Sequence, residues 1–155
     1  MSNSLKAILV EKNIQGQTTI NESECLTVQH FSYTCRRRRN DAGLPYGSTL
    51  PSYLDFTIKV TSNNNGKGLL NHMSKNEPFQ YSFIFNATFT DNVLSKYEDL
   101  LLATGYIVDV EETYENFVLT DKTVNQTLIH ARLLLCNITY VGNGDIASYL
   151  NVTND

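Results

Sequence analysis

The amino-acid sequence predicts a mainly β domain carrying one short α-helix, on three observations. In residues 52–62, Leu54, Phe56, Ile58 and Val60 alternate with Tyr53, Asp55, Thr57, Lys59 and Thr61, which puts the apolar set on one face of a strand and the polar set on the other. The same period governs residues 79–89, where Phe79, Tyr81, Phe83, Phe85, Ala87 and Phe89 oppose Gln80, Ser82, Asn86 and Thr88, with Ile84 the exception. Two further stretches, residues 26–35 and 127–141, are strand-like but change phase part-way, and in residues 26–35 the slip is the one that an inserted residue, a β-bulge, produces. A half-buried aromatic face of this kind needs a second layer, because a Phe contributes ~1.5–3 kcal/mol only once water is excluded from it.

The remaining elements follow in order. Leu5, Ala7, Ile8, Leu9 and Val10 suit a first strand, and the polar residues 11–24 read as a loop. Residues 36–51 hold four arginines and then Asn40, Asp41, Gly43, Pro45, Gly47 and Pro51. They are expected to form a connection without regular structure, which in a compact domain is usually a functional loop. Residues 63–66 make a turn, and Leu69, Leu70 and Met73 at helical spacing predict a two-turn helix over residues 67–75 that caps one end of the core. Residues 92–105 are ambiguous: Leu94, Tyr97 and Leu101 fit a helix capped by Asp91 and ended by Gly105, whereas the next residues, 106–110, are strand-like. Residues 116–126 form a polar hairpin region around Asp121, and the last strand ends at Gly142, Asn143 and Gly144. In the tail only Ile146, Tyr149, Leu150 and Val152 can dock.

At 155 residues the chain fits one domain, 1–155, with a core over about 5–143 and a short C-terminal tail. Charged residues are 18% and apolar residues 41%, a globular composition. A net charge of −4 excludes a general nucleic-acid binder. No apolar run approaches the ~20 residues of a membrane span, so membrane insertion is not expected. Residues 1–6 lack a basic segment followed by an apolar one, and a cytoplasmic start without a signal peptide is the expectation.

The residues that usually carry chemistry are scattered. Cys25, Cys35 and Cys136 cannot all pair within one chain, and reduced, mostly buried thiols are expected. His30 and His130 lie on predicted strands and could meet in space, but no Cys or acid stands at ligand spacing, so no metal is expected. Gly66, Lys67 and Gly68 resemble the end of a phosphate-binding loop that lacks its first Gly and its hydroxyl residue, and no cofactor is expected. Asp109, Glu111, Glu112 and Glu115 read as a solvated outer face rather than a catalytic pair. A candidate subunit interface does emerge: Arg36, Arg37, Arg38 and Arg39 with Asn40, Asp41, Gly43, Leu44, Pro45 and Tyr46, facing acids such as Glu111, Glu112 and Glu115 of a neighbour.

The order of parts resembles the Hcp-type tube proteins (TssD) of bacterial type VI secretion systems, in their divergent branch. The resemblance lies in the stretch from Phe31 through Asn40, Asp41, Ala42, Gly43, Leu44 and Pro45, and in the strand and short helix up to Met73. The strand at residues 79–85, Gly105 to Asp109 leading to Glu112, and the closing Ile138 to Asn143 complete it. Leu44 stands where that family often has Arg, and residues 116–126 are longer than the family pattern. The resemblance turns the ambiguous residues 96–106 into a strand. It implies a small β-barrel of two packed antiparallel sheets with one short α-helix, and a structural subunit rather than an enzyme. It also implies a homo-oligomer: a hexameric ring whose edge-to-edge joining would give every strand a partner, stacked into an expelled tube that carries effectors. Sheath, spike and effector proteins are the implied partners, and secretion through the apparatus the implied fate. A monomeric β-sandwich binding module for a sugar or protein is the alternative reading.

Overall fold

The computed structural model describes residues 6–142 except 18, 51, 62 and 63. Leu5, Pro51, Asn63, the closing Asn143 and Gly144, and the docking residues expected in the tail lie outside the described residues. The chain runs through β1 (Ala7–Val10), a 3-10 turn (Glu22–Glu24), β2 (Cys25–Tyr33), β3 (Arg36–Arg39), β4 (Pro45–Leu50), β5 (Ser52–Lys59) and α1 (Gly68–Ser74). It continues through β6 (Phe79–Phe85), β7 (Thr88–Thr90), β8 (Val93–Lys96), β9 (Asp99–Leu119) and β10 (Lys122–Val141). Six strands close a barrel in the order β1-β2-β5-β10-β9-β6, with β6 returning to β1 and every pairing antiparallel.

The alternation in β5 decides which way the barrel folds: Leu54, Phe56 and Ile58 are buried inside, while Tyr53 and Lys59 stand outside. They meet Leu26 and Val28 of β2, Phe83 of β6, and Ile129, Ala131 and Leu133 of β10. Phe83 packs edge-on to Phe56 at 5.3 Å between centroids. Both phase changes are bulges, in β2 as the sequence implied: the register shifts between Val28 and His30 in β2, and between Leu135 and Asn137 in β10. Residues 99–106 are strand, not helix, and pair with β6 from Asp99 opposite Phe85 to Gly105 opposite Phe79.

Ile84, the exception in the β6 alternation, marks a second core. It is fully buried on the outer side of the barrel wall with Ile8, Val10, Leu100, Leu102 and Val141, under Ile14, Ile20 and Ala87. Ser82 faces the same way and is satisfied by the covering loop, its hydroxyl donating to the Lys12 carbonyl at 2.8 Å and accepting from the Ile14 amide at 3.1 Å. The strand expected over residues 79–89 breaks at Asn86, whose φ is +56°, and β7 starts a separate hairpin with β8.

Four expectations are corrected. Residues 36–50 are not irregular but form the β3–β4 hairpin, with Arg36 opposite Leu50 and Arg37 opposite Thr49. Its turn is made by Asn40, whose Oδ1 accepts from the amides of Ala42 and Leu44, and by Gly43 at φ +82°. The barrel itself leaves no strand edge open, so edge-to-edge joining around a ring is not what completes its sheet. Of the helix's apolar residues Leu69 is fully buried, at the barrel end where β5 finishes, while Leu70 and Met73 are exposed. All three cysteines are free, but only Cys25 is buried; Cys35 and Cys136 are half-buried. Burial pushes the Cys25 thiol up to about 12, helped by the charge of Glu24.

Candidate subunit interface

The residues singled out by sequence fall into two places. Arg36 to Arg39 form β3; Asn40, Asp41, Gly43 and Leu44 form the hairpin turn; Pro45 and Tyr46 begin β4. Arg36 and Arg39 are exposed, and Leu44 projects from the turn with 61% of its surface in water. Glu111 and Glu112 lie elsewhere, on β9 opposite His130 and Ile129. Because β2 and β4 deliver the hairpin to the Ser52 end of β5, whereas β10 meets Lys59 at Leu128, the arginines and the acids belong to opposite ends of one strand. Within one chain they do not meet. Glu112 is instead engaged by Lys67, which ties the start of α1 to β9.

Between these ends the outer barrel face carries two polar rungs that sequence reading missed. His30, Thr57, His130 and Glu111 are in register across β2, β5, β10 and β9, and Ser32, Asp55, Arg132 and Asp109 form the next rung. All but Ser32 line a shallow groove of about 460 Å³. Thr57 Oγ1 lies 2.8 Å from His130 Nδ1, and Arg132 donates to both Asp55 oxygens at 2.8 and 3.3 Å while lying over the Tyr53 ring. The signal was present as polar residues two apart on four strands, the spacing of one strand face. His30 and His130 do approach, but on either side of Thr57. Among the described residues no three His, Cys, Asp or Glu side chains form a group that could hold a metal ion, and no helix is long and apolar enough to cross a membrane.

A second polar group is internal. Tyr81 donates or accepts with His72 Nδ1 at 2.7 Å, and His72 stacks on Phe79 with centroids 3.9 Å apart. Burial lowers the His72 pKa and raises that of Tyr81, the charge of Glu11 adding to the latter. Glu11 itself packs against Gly68 with Oε1 buried and unbonded among the described residues. Desolvation raises its pKa. With His72 on α1 and Phe79 and Tyr81 on β6, these contacts help hold α1 on the barrel.

No protein-family model matches the sequence, and no curated protein does. Solved structures do match in fold. A crystal structure of an Hcp protein superposes with a TM-score of 0.60 at 15% identity, over 92% of this chain and 96% of that one. Hcp1 from Flavobacterium johnsoniae superposes with a TM-score of 0.52 at 17% identity, over 90% and 97%. The chain has the Hcp fold. At 15–17% identity the likeness shows the fold alone.

Proposed function

We propose that this chain is a structural subunit of a type VI secretion inner tube, assembling as a ring of six whose rings stack into an expelled tube that carries effectors in its lumen. The observation that supports the reading most is the likeness to Hcp structures, which runs along nine-tenths or more of both chains. On this reading the chain is not an enzyme, needs no cofactor, has sheath, spike and effector proteins as partners, and passes from the cytoplasm out through the secretion apparatus. Arg36 to Tyr46, with Glu111 and Glu112, then form contacts between subunits or between stacked rings. The closed barrel moves the argument for assembly from strand edges to projecting hairpins, since a closed sheet offers no template for strand addition. Negative-stain electron microscopy and native mass spectrometry test the reading: six-membered rings are expected. A monodisperse monomer at micromolar concentration would remove it.

A further inference from the structure

The mouth of the barrel under α1 holds a carboxyl group on a core-facing position. β1 sends Leu9 into the barrel core and Val10 out to the second core, so Glu11, the next residue, takes the inward phase where the strand ends. Its backbone is fixed on both sides. Val10 pairs with Ser82 of β6, the Lys12 carbonyl accepts from Ser82 Oγ at 2.8 Å, and Lys12 Nζ pairs with Glu24 at 2.7 Å. The carboxyl is therefore kept under the helix: a Cβ at position 68 would overlap Glu11 Oε2, and Oε1 is buried with no hydrogen-bond partner among the described residues.

The charged groups on the elements that meet here are engaged elsewhere. Lys12 is taken by Glu24, Lys67 of α1 by Glu112 of β9, and His72 of α1 by the Tyr81 hydroxyl of β6. Lys75 and Glu77 lie exposed beyond the end of the helix, and Cys25, opposite Val10 on β2, is a neutral thiol. Desolvation is accordingly what raises the Glu11 pKa and lowers that of His72.

The helix above this carboxyl is lightly held. It has seven residues, of which Leu69 is the one fully buried. Its amides bond within the segment, Leu69 to Gly66, Leu70 and Asn71 to Lys67, and Lys75 to His72, so its departure breaks no strand pairing. So short a helix does not persist in water without its packing, and it docks or melts as a unit.

We propose that α1 is a protonation-controlled plug of the barrel mouth: it seats while the Glu11 carboxyl is neutral, and ionisation of Glu11 releases it while the barrel stays closed. Release unseats Leu69 from the core cluster that contains Ile58 and Ile129. Because the docked pKa of Glu11 is raised, its contribution to docking is fully present below about 4.5 and is lost as pH rises through the docked value. His72 titrates the other way. Its docked pKa lies below 6.5, so its contribution is present above 6.5 and is lost as pH falls. Neutral Glu11 and neutral His72 together make the seated state, and charging either one favours release.

The test is amide hydrogen exchange on the whole protein from pH 4 to pH 8, with rates expressed as protection factors so that the intrinsic pH dependence of exchange cancels. The amides of Leu70 and Asn71 report the plug, and those of Leu54 and Leu133 the barrel ladder. In the parent, protection in α1 is expected to lie about tenfold or more below that of the ladder, as a local opening requires. Comparing the parent with Glu11→Gln isolates the carboxyl, since His72 is present in both. The ratio of parent to variant protection at Leu70 and Asn71 is expected to fall several-fold between pH 4 and pH 8. A ratio that stays level overturns the proposal, and so does equal protection of helix and ladder, which would make α1 part of one global unit. Should Glu11→Gln not fold, His72→Phe keeps an aromatic ring on Phe79 and removes the opposing titration, so the fall in α1 protection toward pH 8 is expected to be steeper than in the parent. A flat profile in that variant overturns the plug equally.

Discussion

Glu11 is the residue whose chemistry sits least comfortably in the fold. Its folded pKa is raised above the ordinary 4.5 by desolvation, so the unfolded chain ionises first as pH rises. Below about 4.5 both states are protonated and nothing is lost; above the folded pKa the cost of the buried carboxylate is fully present. Stability contributed by this site therefore falls from acid to neutral pH, and Glu11→Gln is expected to raise the melting temperature at pH 7 or 8 with a gain that vanishes near pH 4. A gain independent of pH would show that charge is not the cause. Gly66 poses a different constraint. It sits at φ +70°, and an added Cβ would lie 2.9 Å from Ile129 Cδ1 and 3.1 Å from Ile58 Cδ1. Gly66→Ala is expected to cost about 1–2 kcal/mol for the left-handed backbone, plus the displacement of both core methyls. A denaturant midpoint equal to the parent's would contradict this. The glycine is needed because the turn into α1 passes directly over the barrel end that Leu69 plugs.

At the scale of elements, legibility followed the kind of signal each strand carries. The alternation of β5 and the bulges of β2 and β10 could be read directly, because apolar phase is a local property of sequence. The β3–β4 hairpin could not: Arg36 to Arg39 are identical in character, so no phase exists to reveal a strand, and the turn chemistry of Asn40 and Gly43 was the only clue. The same limit hid the second core, since Ile84 and Ser82 declare a two-sided strand only once Ile14 and Lys12 are known to lie over them. The polar groove was missed for a related reason, although its two-residue spacing is in the sequence. Each pair, such as Asp55 and Thr57 or His130 and Arg132, looks like ordinary solvent-facing residues until pairing puts four strands in register. Of the candidate interface, the arginine run and the acids were legible as charge clusters. Their placement at opposite ends of β5 was not, because it depends on strand order.

For the whole molecule, the two kinds of cohesion should respond differently to salt. The barrel is held by apolar burial on both sides of its β1–β6–β9 wall, and its four described ion pairs, such as Arg132 with Asp55 and Lys12 with Glu24, are all partly exposed. Exposed pairs contribute about 0–1 kcal/mol each, so screening them should move the unfolding transition little. The contact proposed between stacked rings, by contrast, would join residues 36–50, of formal charge +3, to residues 111–127, of formal charge −3, and such an attraction acts over a screening length that shrinks from about 10 Å at 0.1 M salt to about 3 Å at 1 M. Raising sodium chloride across that range is therefore expected to dissociate stacked assemblies, while the melting temperature of a variant carrying Arg36→Glu and Arg39→Glu shifts by only a few degrees, about what 1 kcal/mol produces in a domain of this size. Scattering and calorimetry on the same solutions separate the two. Assemblies that persist unchanged at 1 M salt would mean that apolar residues such as Leu44 dominate the contact and that the charge pattern of the hairpins does not set its direction.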